Sequence, residues 1–216
     1  MSLFVTFEGP EGSGKSTQIV AMHKWLRGKG YEVVRTREPG STAVGDQIRK
    51  LLLAPDNQDI LPMSEALLYS ASRAQLVSQV IRPHLERGGI VLCDRYVDST
   101  FAYQGYGRGM DMSALATMVD LATGGLVPDL TVYLDLPIEV GLKRRGLRRQ
   151  GGELQLPLFG KWDRLDVQEL DFHRRVREGY LEMAREDPGR WVVVDATQPV
   201  NVIEAEIRTR VEARLS

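Results

Sequence analysis

Gly9-Pro10-Glu11-Gly12-Ser13-Gly14-Lys15-Ser16 constrains the fold more than any other stretch of the chain. It fits G-x-x-x-x-G-K-[ST], a loop whose backbone N–H groups turn inward and converge on a phosphate. The apolar run at residues 3–7 reads as a short buried strand, and Lys15–Gly28 reads as a helix. The loop therefore lies between a strand and a helix N-terminus, where an anion is favoured. Gly12 and Gly14 permit backbone conformations that a Cβ would forbid. Lys15 would reach the β- and γ-phosphates, and the Ser16 hydroxyl would ligate Mg²⁺. The plain alternative is an ordinary Gly-rich turn, against which the flanking strand and helix argue. The chain is expected to bind a nucleoside triphosphate with Mg²⁺ through Gly9 to Thr17.

Strand and helix then alternate. Strands are expected at residues 3–7, 32–36, 90–93, 131–136 and 191–194, all short and almost wholly apolar, as strands covered on both faces should be. Helices are expected at Lys15–Gly28, Ala43–Leu53, 65–87, 113–123, 138–149, 167–185 and Val200–Leu215. Ser64 reads as the N-cap of the long third helix, with Glu65 in its first turn. Pro83 should kink or split that helix, and Gly88-Gly89 should end it. Such alternation implies right-handed crossovers and an α/β, three-layer P-loop fold with a five-stranded parallel sheet between helices. Ligands bind such sheets beyond the carboxyl ends of the strands. Four loops stand there: the P-loop, Arg37-Glu38-Pro39, Asp94-Arg95-Tyr96 and Asp195-Ala196-Thr197.

At 216 residues the chain reads as one domain, 1–216, with a short insertion. Five of the seven residues from Lys143 to Arg149 are basic, and Gly151-Gly152 follow, which suggests a mobile lid at about 148–164. Charge is otherwise balanced, with 28 basic and 29 acidic residues, so nothing supports a general nucleic-acid or membrane-surface role. The single cysteine, Cys93, excludes an internal disulfide and suits a reducing cytosol. No signal peptide or membrane span is expected.

Beyond the P-loop, Asp94 follows an apolar strand and can hold the hydration shell of Mg²⁺; Asp135 is the competing candidate. Arg95 beside Asp94 suggests one charge for the metal and one for an oxyanion, or else a structural salt bridge. Tyr69 and Arg73 lie four apart on one helix face. They would give a flat base a stacking surface and an edge donor, or form a plain cation–π pair. Residues 96–109, rich in Tyr, Gly, Ser and Thr, read as a binding loop.

These motifs together resemble the bacterial thymidylate kinases. The matching segments are F-E-G-P-E-G-S-G-K-S-T at 7–17, T-R-E-P-G at 36–40, D-R-Y at 94–96 and S-T-F-A-Y-Q-G-Y-G-R-G at 99–109. P-D-L-T-V-Y-L-D-L at 128–136, D-R-L at 163–165 and D-A-T-Q-P at 195–199 complete them, in the family's order along the whole chain. The resemblance implies phosphoryl transfer from ATP to thymidine 5′-monophosphate (dTMP), with Mg²⁺, in a cytoplasmic homodimer. It implies that Tyr69 stacks on thymine and Arg73 donates to a thymine carbonyl. Thr100 and Gln104 would contact the base edge, and Tyr103 would pack against the sugar and disfavour a 2′-hydroxyl. Arg95, Arg37 and Arg49 would lie near the monophosphate. Glu11 and Glu38 would lie near the acceptor's sugar and the metal-bound phosphates, and Arg144 near adenine. Some family members carry an arginine where this chain has Gly12; the bacterial type places the catalytic arginine in the lid. The candidates here are Arg145, Arg148, Arg149 and Arg164, with Arg149 and Arg164 joining Lys15, Arg95 and Glu11 as the expected catalytic set.

The Tyr69/Arg73 pair with Tyr103 and Gln104 favours thymine over another monophosphate or a deoxynucleoside. A GTP-binding switch lacks support, since no N-K-x-D occurs. A nucleotide-loaded DNA-binding module fits the balanced charge worse still.

Overall fold

The computed structural model describes residues 2–144, 148–150, 153–155 and 170–215, with 148–150 and 153–155 described by their backbone. The expected strands form at the expected places, each extended or shifted by a residue or two: β1 Leu3–Glu8, β2 Val33–Arg37, β3 Ile90–Asp94, β4 Leu130–Asp135 and, last in the sheet, Trp191–Asp195. They make one parallel sheet in the order β2, β3, β1, β4 and Trp191–Asp195. The order reverses around β1, whose carboxyl end feeds the P-loop, so the loop stands at the sheet's switch point.

β1 shows how the layers are built. Its side chains alternate between faces. Leu3, Val5 and Phe7 enter the core formed with α1 (Lys15–Gly28), where Ile19, Met22 and Leu26 are buried. Phe4 faces the other way, into a core with Leu76, Val77, Ile81 and Tyr96. By the same alternation Thr6 and Glu8 share the face of Phe4, and both are fully buried. A third core joins Tyr103 and Tyr133 to Phe172, Val176 and Tyr180.

α2 (Ala43–Leu53) begins as the sequence implies, with the Thr42 hydroxyl accepting from Gly45 N. The next helix differs. α3 (Pro62–Leu76) starts on Pro62, with Leu61 as N-cap, so Ser64 is not its cap. Proline suits a first turn because its missing N–H is unneeded there. A π-helical turn, Val77–Ile81, then leads into α4 (Arg82–Glu86). Arg82 N–H reaches Val77 O, five residues back. The widened turn stands immediately before Pro83, whose missing N–H breaks the regular ladder. Gly88, at φ +80°, follows the end of the helix as expected.

Residues 96–109 are not a loop. They form α5 (Val97–Thr100) and a π-helical segment, Phe101–Gly107. Gly105 and Gly107 serve packing rather than flexibility: a Cβ on Gly107 would meet Phe172 Cε2 at 2.7 Å, and one on Gly105 would strike the Met112 sulfur. The polar, aromatic composition that reads as a loop is that of a helix turned toward a cavity.

α6 (Met112–Thr123) follows, capped by the Asp111 side chain on Ala114 N. α7 is shorter than the expected helix over 138–149: it covers Ile138–Arg144, and Arg148–Gln150 is a strand, β5, antiparallel to β6 (Glu153–Gln155). The register pairs Gln150 with Glu153; Gly151 and Gly152 lie outside the described residues. α8 (Leu170–Glu186) leads to β7 (Trp191–Asp195), and α9 (Val200–Leu215) closes the fold. Arg145 and Arg164 lie outside the described residues, as does the side chain of Arg149.

Candidate active site

The P-loop closes around its own lysine. Lys15 is buried, and its Nζ donates to the carbonyls of Gly9 (2.9 Å) and Pro10 (3.0 Å). Burial lowers its pKa, helped by the Arg95 charge. Gly14, at φ +96°, caps α1 in the left-handed conformation. Gly12, at φ +77°, has a second constraint: a Cβ there would meet Gly141 O at 2.7 Å. α7 thus leaves no room for a side chain at position 12. Ser13 is buried with its Oγ unpartnered among the described residues; Gly9, Pro10 and Ser13 shape the cradle without lining it.

The cradle opens into a cavity lined by Gly12, Gly14, Lys15, Ser16 and Thr17. Arg37, Arg49, Arg95 and Arg144 add positive charge to it. Arg37 is half exposed and 3.4 Å from Asp46, Arg49 Nη1 donates to Pro39 O (3.0 Å), and Arg144 Nη1 to Gly12 O (3.3 Å). Asp94, at the end of β3, accepts from Ser16 Oγ at 3.1 Å. Asp135, the competing candidate, is taken up by Arg177 in a two-pronged pair at 2.7 and 2.8 Å. One hydroxyl and one carboxylate beside the phosphate cradle suit Mg²⁺, which takes few protein oxygens and completes its shell with water and phosphate. Among the described residues no group of three or more His, Cys, Asp or Glu forms a metal site of its own.

A second cavity lies against the first. Leu53, Tyr69, Arg73, Thr100, Tyr103 and Gln104 line it. Tyr69 and Arg73 come from α3, and Thr100, Tyr103 and Gln104 from α5 and the π-helical segment. Arg73 is 1 % exposed. Its Nε donates to Glu38 Oε2 at 2.8 Å, its Nη1 to Thr100 Oγ1 at 2.9 Å and its Nη2 to Tyr96 O at 3.1 Å. Nη2 also lies 2.7 Å from Glu38 Oε2, so of the five guanidinium hydrogens one, on Nη1, stays uncommitted among the described residues. Burial raises the pKa of Glu38 against the pull of Arg73, and its second oxygen, Oε1, is buried without a described partner.

Gln104 is oriented by a residue the sequence reading assigned only to a helix dipole. Glu65 is fully buried; its Oε1 accepts from Gln104 Nε2 at 2.8 Å, and Arg108 holds both its oxygens at 2.8 and 2.9 Å. A carboxylate accepts only, so the Gln104 amide must turn its N–H toward Glu65 and keep its carbonyl for a ligand. Glu8, Ser99, Tyr180 and His173 were also missed. Glu8 resembles any strand-end acid, and Tyr180 and His173 sit in an amphipathic helix with no local motif. Yet His173 lines the second cavity with its Nε2 buried and unpartnered among the described residues. Glu8, pushed up to about 7 by burial against the pull of Arg95, accepts from three groups.

Glu11, Glu38, Arg49 and Arg95 line both cavities. Arg95 Nη2 donates to Glu11 Oε1 at 2.7 Å, and its guanidinium lies over the Tyr103 ring, 5.0 Å from the centroid. A phosphate cradle and an aromatic pocket thus meet at two arginines and two acids. The Asp195 loop lines neither cavity: Asp195 holds Thr197 and Gln198 of its own turn, and those bonds lower its pKa.

The family model for thymidylate kinase matches residues 7–207. The chain belongs to the thymidylate kinase family. It is 52 % identical over 218 residues to the thymidylate kinase of Roseiflexus castenholzii, covering 100 % of this chain and 95 % of that protein. It is 50 % identical to the thymidylate kinase of Deinococcus radiodurans, covering 98 % and 97 % of the two chains. The crystal structure of the thymidylate kinase from Ehrlichia chaffeensis superposes with a TM-score of 0.75 at 32 % identity, over 98 % of each chain. The five-stranded parallel sheet between helices is this family's P-loop fold. Membership accounts for two cavities joined at charged residues, since a kinase of a monophosphate must hold two phosphorylated substrates end to end.

Proposed function

We infer that the protein phosphorylates dTMP to thymidine diphosphate with ATP, by direct in-line transfer and without a covalent intermediate. The observation that carries the reading is the pair of cavities that share Arg95 and Glu11. The family's shared activity, at about half identity along the whole chain, supports the same reaction.

The acceptor lies in the second cavity. Tyr69 stacks on the base, and Tyr103 packs on the sugar. The remaining Nη1 hydrogen of Arg73 meets a ring carbonyl, beside Thr100, while the Gln104 carbonyl accepts the adjacent ring N–H. That donor–acceptor order matches the imide edge of thymine; cytosine, with an acceptor N3 and an amino group, reverses it. ATP lies in the first cavity, its phosphates on the backbone N–H groups of Gly12 to Thr17 and on Lys15, with Arg144 near adenine. An oxygen of the acceptor's phosphate attacks the γ-phosphorus, the bond to the β–γ bridging oxygen breaks, and ADP leaves. Arg37, Arg49 and Arg95 hold the acceptor's phosphate against charge repulsion, and Glu11 and Glu38 hold its sugar. Ser16 and Asp94 hold Mg²⁺, which supplies neutralisation of the β- and γ-phosphate charge. Catalysis is positioning plus charge neutralisation. The basic segment 148–164 acts as a lid on a single domain, with Arg149 and Arg164 as its catalytic candidates.

The protein acts as a cytoplasmic homodimer. Exposed Leu51, Leu61, Met63 and Leu67 on and beside α2 and α3 support an interface. Among the described residues no helix is long and apolar enough to cross a membrane. Turnover with ATP and a panel of nucleoside monophosphates is the test. dTMP should be preferred over dCMP by at least about 10²-fold in kcat/KM, because a mismatched donor edge leaves buried groups unpaired. Equal turnover of both would reject the base-edge assignment.

A further inference from the structure

Arg95 carries φ +69°, in the left-handed region that side chains avoid. Such a conformation persists only where its surroundings over-determine it. The main chain is tied on both sides: Arg95 N–H donates to Phe7 O at 3.0 Å, and Tyr96 N–H to Glu8 Oε1 at 2.8 Å. The side chain is tied through the same carboxylate. Arg95 Nη1 donates to Ser99 Oγ at 3.4 Å and to Tyr180 Oη at 3.3 Å. Both hydroxyl oxygens lie 2.7 Å from Glu8 Oε2, while the guanidinium itself is 3.9 Å from that oxygen.

We propose that Glu8, Ser99 and Tyr180 are positioning residues for phosphoryl transfer: the buried Glu8 carboxylate fixes the Arg95 main chain directly and its guanidinium through two hydroxyls. The proposal rests on the placement of Arg95 beside the transferring phosphates given above. The direction of each bond supports it. A hydroxyl has one hydrogen and two lone pairs. With Glu8 ionised, Ser99 and Tyr180 each give their hydrogen to Oε2, and their lone pairs are left to accept from Arg95. The guanidinium is thereby oriented by neutral oxygens rather than neutralised by a direct buried ion pair. Its Nη2 donates to Glu11, whose side chain is 42 % exposed, so a phosphate can reach that edge.

The three residues come from β1, α5 and α8, which makes the arrangement rigid. Tyr180 is fully buried, stacks on Tyr133 at 4.8 Å and meets the Tyr103 ring edge-on at 6.4 Å. Tyr180 and Glu8 line neither cavity, so they act on the substrates through the residues they hold, Arg95 and Ser99, and in the case of Tyr180 also Tyr103. Glu8 is the fixed point: an ordinary strand residue whose side-chain alternation aims it at the one residue after β3 that has positive φ.

The test is a set of mutant cycles measured by steady-state kinetics, with circular dichroism to confirm folding. Tyr180→Phe and Ser99→Ala remove one hydroxyl each, Glu8→Gln removes the charge, and each is made alone and with Arg95→Ala. Tyr180→Phe should lower kcat by about tenfold to a hundredfold, the scale of a misplaced reacting group, with the KM for ATP unchanged. In the Arg95→Ala background the same change should cost less than about threefold, because residues acting as a unit are not additive. Losses that multiply in that background, while Arg95→Ala alone is crippled, would overturn the positioning role and leave the site reading intact. Arg95→Ala at near wild-type kcat would overturn both. If Glu8→Gln fails to fold, the two hydroxyl variants decide, and wild-type kcat in both of them overturns the proposal.

Discussion

The two halves of the site are built by opposite means. The phosphate cradle is local: eight consecutive residues, three positive-φ glycines and a lysine bonded to carbonyls five and six residues back. The acceptor pocket is assembled from side chains that are far apart in sequence. Arg73 meets Glu38 across 35 residues and Thr100 across 27, and Gln104 meets Glu65 across 39. The cradle binds with main-chain N–H groups, which every sequence has, so it can hold any nucleoside triphosphate. The pocket binds with buried charges and an oriented amide, which only one arrangement of folded elements supplies. Generality is therefore written in a motif, and selectivity in tertiary structure. Substitutions in the two halves should fail differently.

The largest effect is expected in the pocket. Arg73→Ala leaves the Glu38 carboxylate buried without its cation, and breaking a buried pair this way costs about 3–5 kcal/mol of stability. It should also raise the KM for dTMP much more than that for ATP. Urea unfolding and steady-state kinetics read the two consequences separately. An Arg73→Ala protein with an unchanged unfolding midpoint would mean that the pair is not a structural element. Equal changes in both KM values would mean that the pocket and the cradle are not separate.

The cradle should lose rate without losing stability. Lys15→Ala removes the cation assigned above to the phosphates of ATP, and a charge-stabilising group of this kind is worth about 10²–10³ in kcat. Among the described residues Lys15 bonds carbonyls of its own loop, so the unfolding midpoint should move little. A variant that keeps more than about a tenth of wild-type kcat would remove Lys15 from the catalytic role. One that unfolds easily would erase the contrast with Arg73.

The same contrast explains what could be read in the sequence. The sheet, the P-loop and the helices α1, α2 and α9 were legible because local periodicity and a contiguous motif determine them. Tyr69 and Arg73 were legible as a helix-face pair. The segment at 96–109 was misread because Gly105 and Gly107 look like hinges until Phe172 and Met112, from α8 and α6, are seen packed on them. Glu65 was read as an ordinary first-turn acid, since nothing nearby in sequence reveals Gln104 and Arg108. Glu8 was passed over for a similar reason. An acid at the end of a strand is surface by default, and only the covering layer of α5 and α8 makes it buried.

Glu8 also gives the smallest and most diagnostic test, because it joins the two halves. Burial raises its carboxyl from an ordinary value of 4.5 to about 7 in the folded protein, against the pull of Arg95. Between those values the folded chain holds a proton that the unfolded chain has released. By linkage, stability then falls as pH rises, by at most about 1.4 kcal/mol per pH unit for a single proton. The contribution is fully present below about pH 4.5 and lost by the time pH passes about 7. Burial raises Glu38 as well, and it works in the same direction, so wild-type stability alone is not the readout. The readout is the difference in urea midpoint between the wild-type protein and Glu8→Gln, followed from pH 5 to pH 7.5. Gln cannot titrate, so the wild-type protein should lose ground to the variant as pH rises through this window. A difference that stays flat would mean that Glu8 is ionised in the fold well below pH 5. Arg95 would then hold it far more strongly than the 3.9 Å separation suggests.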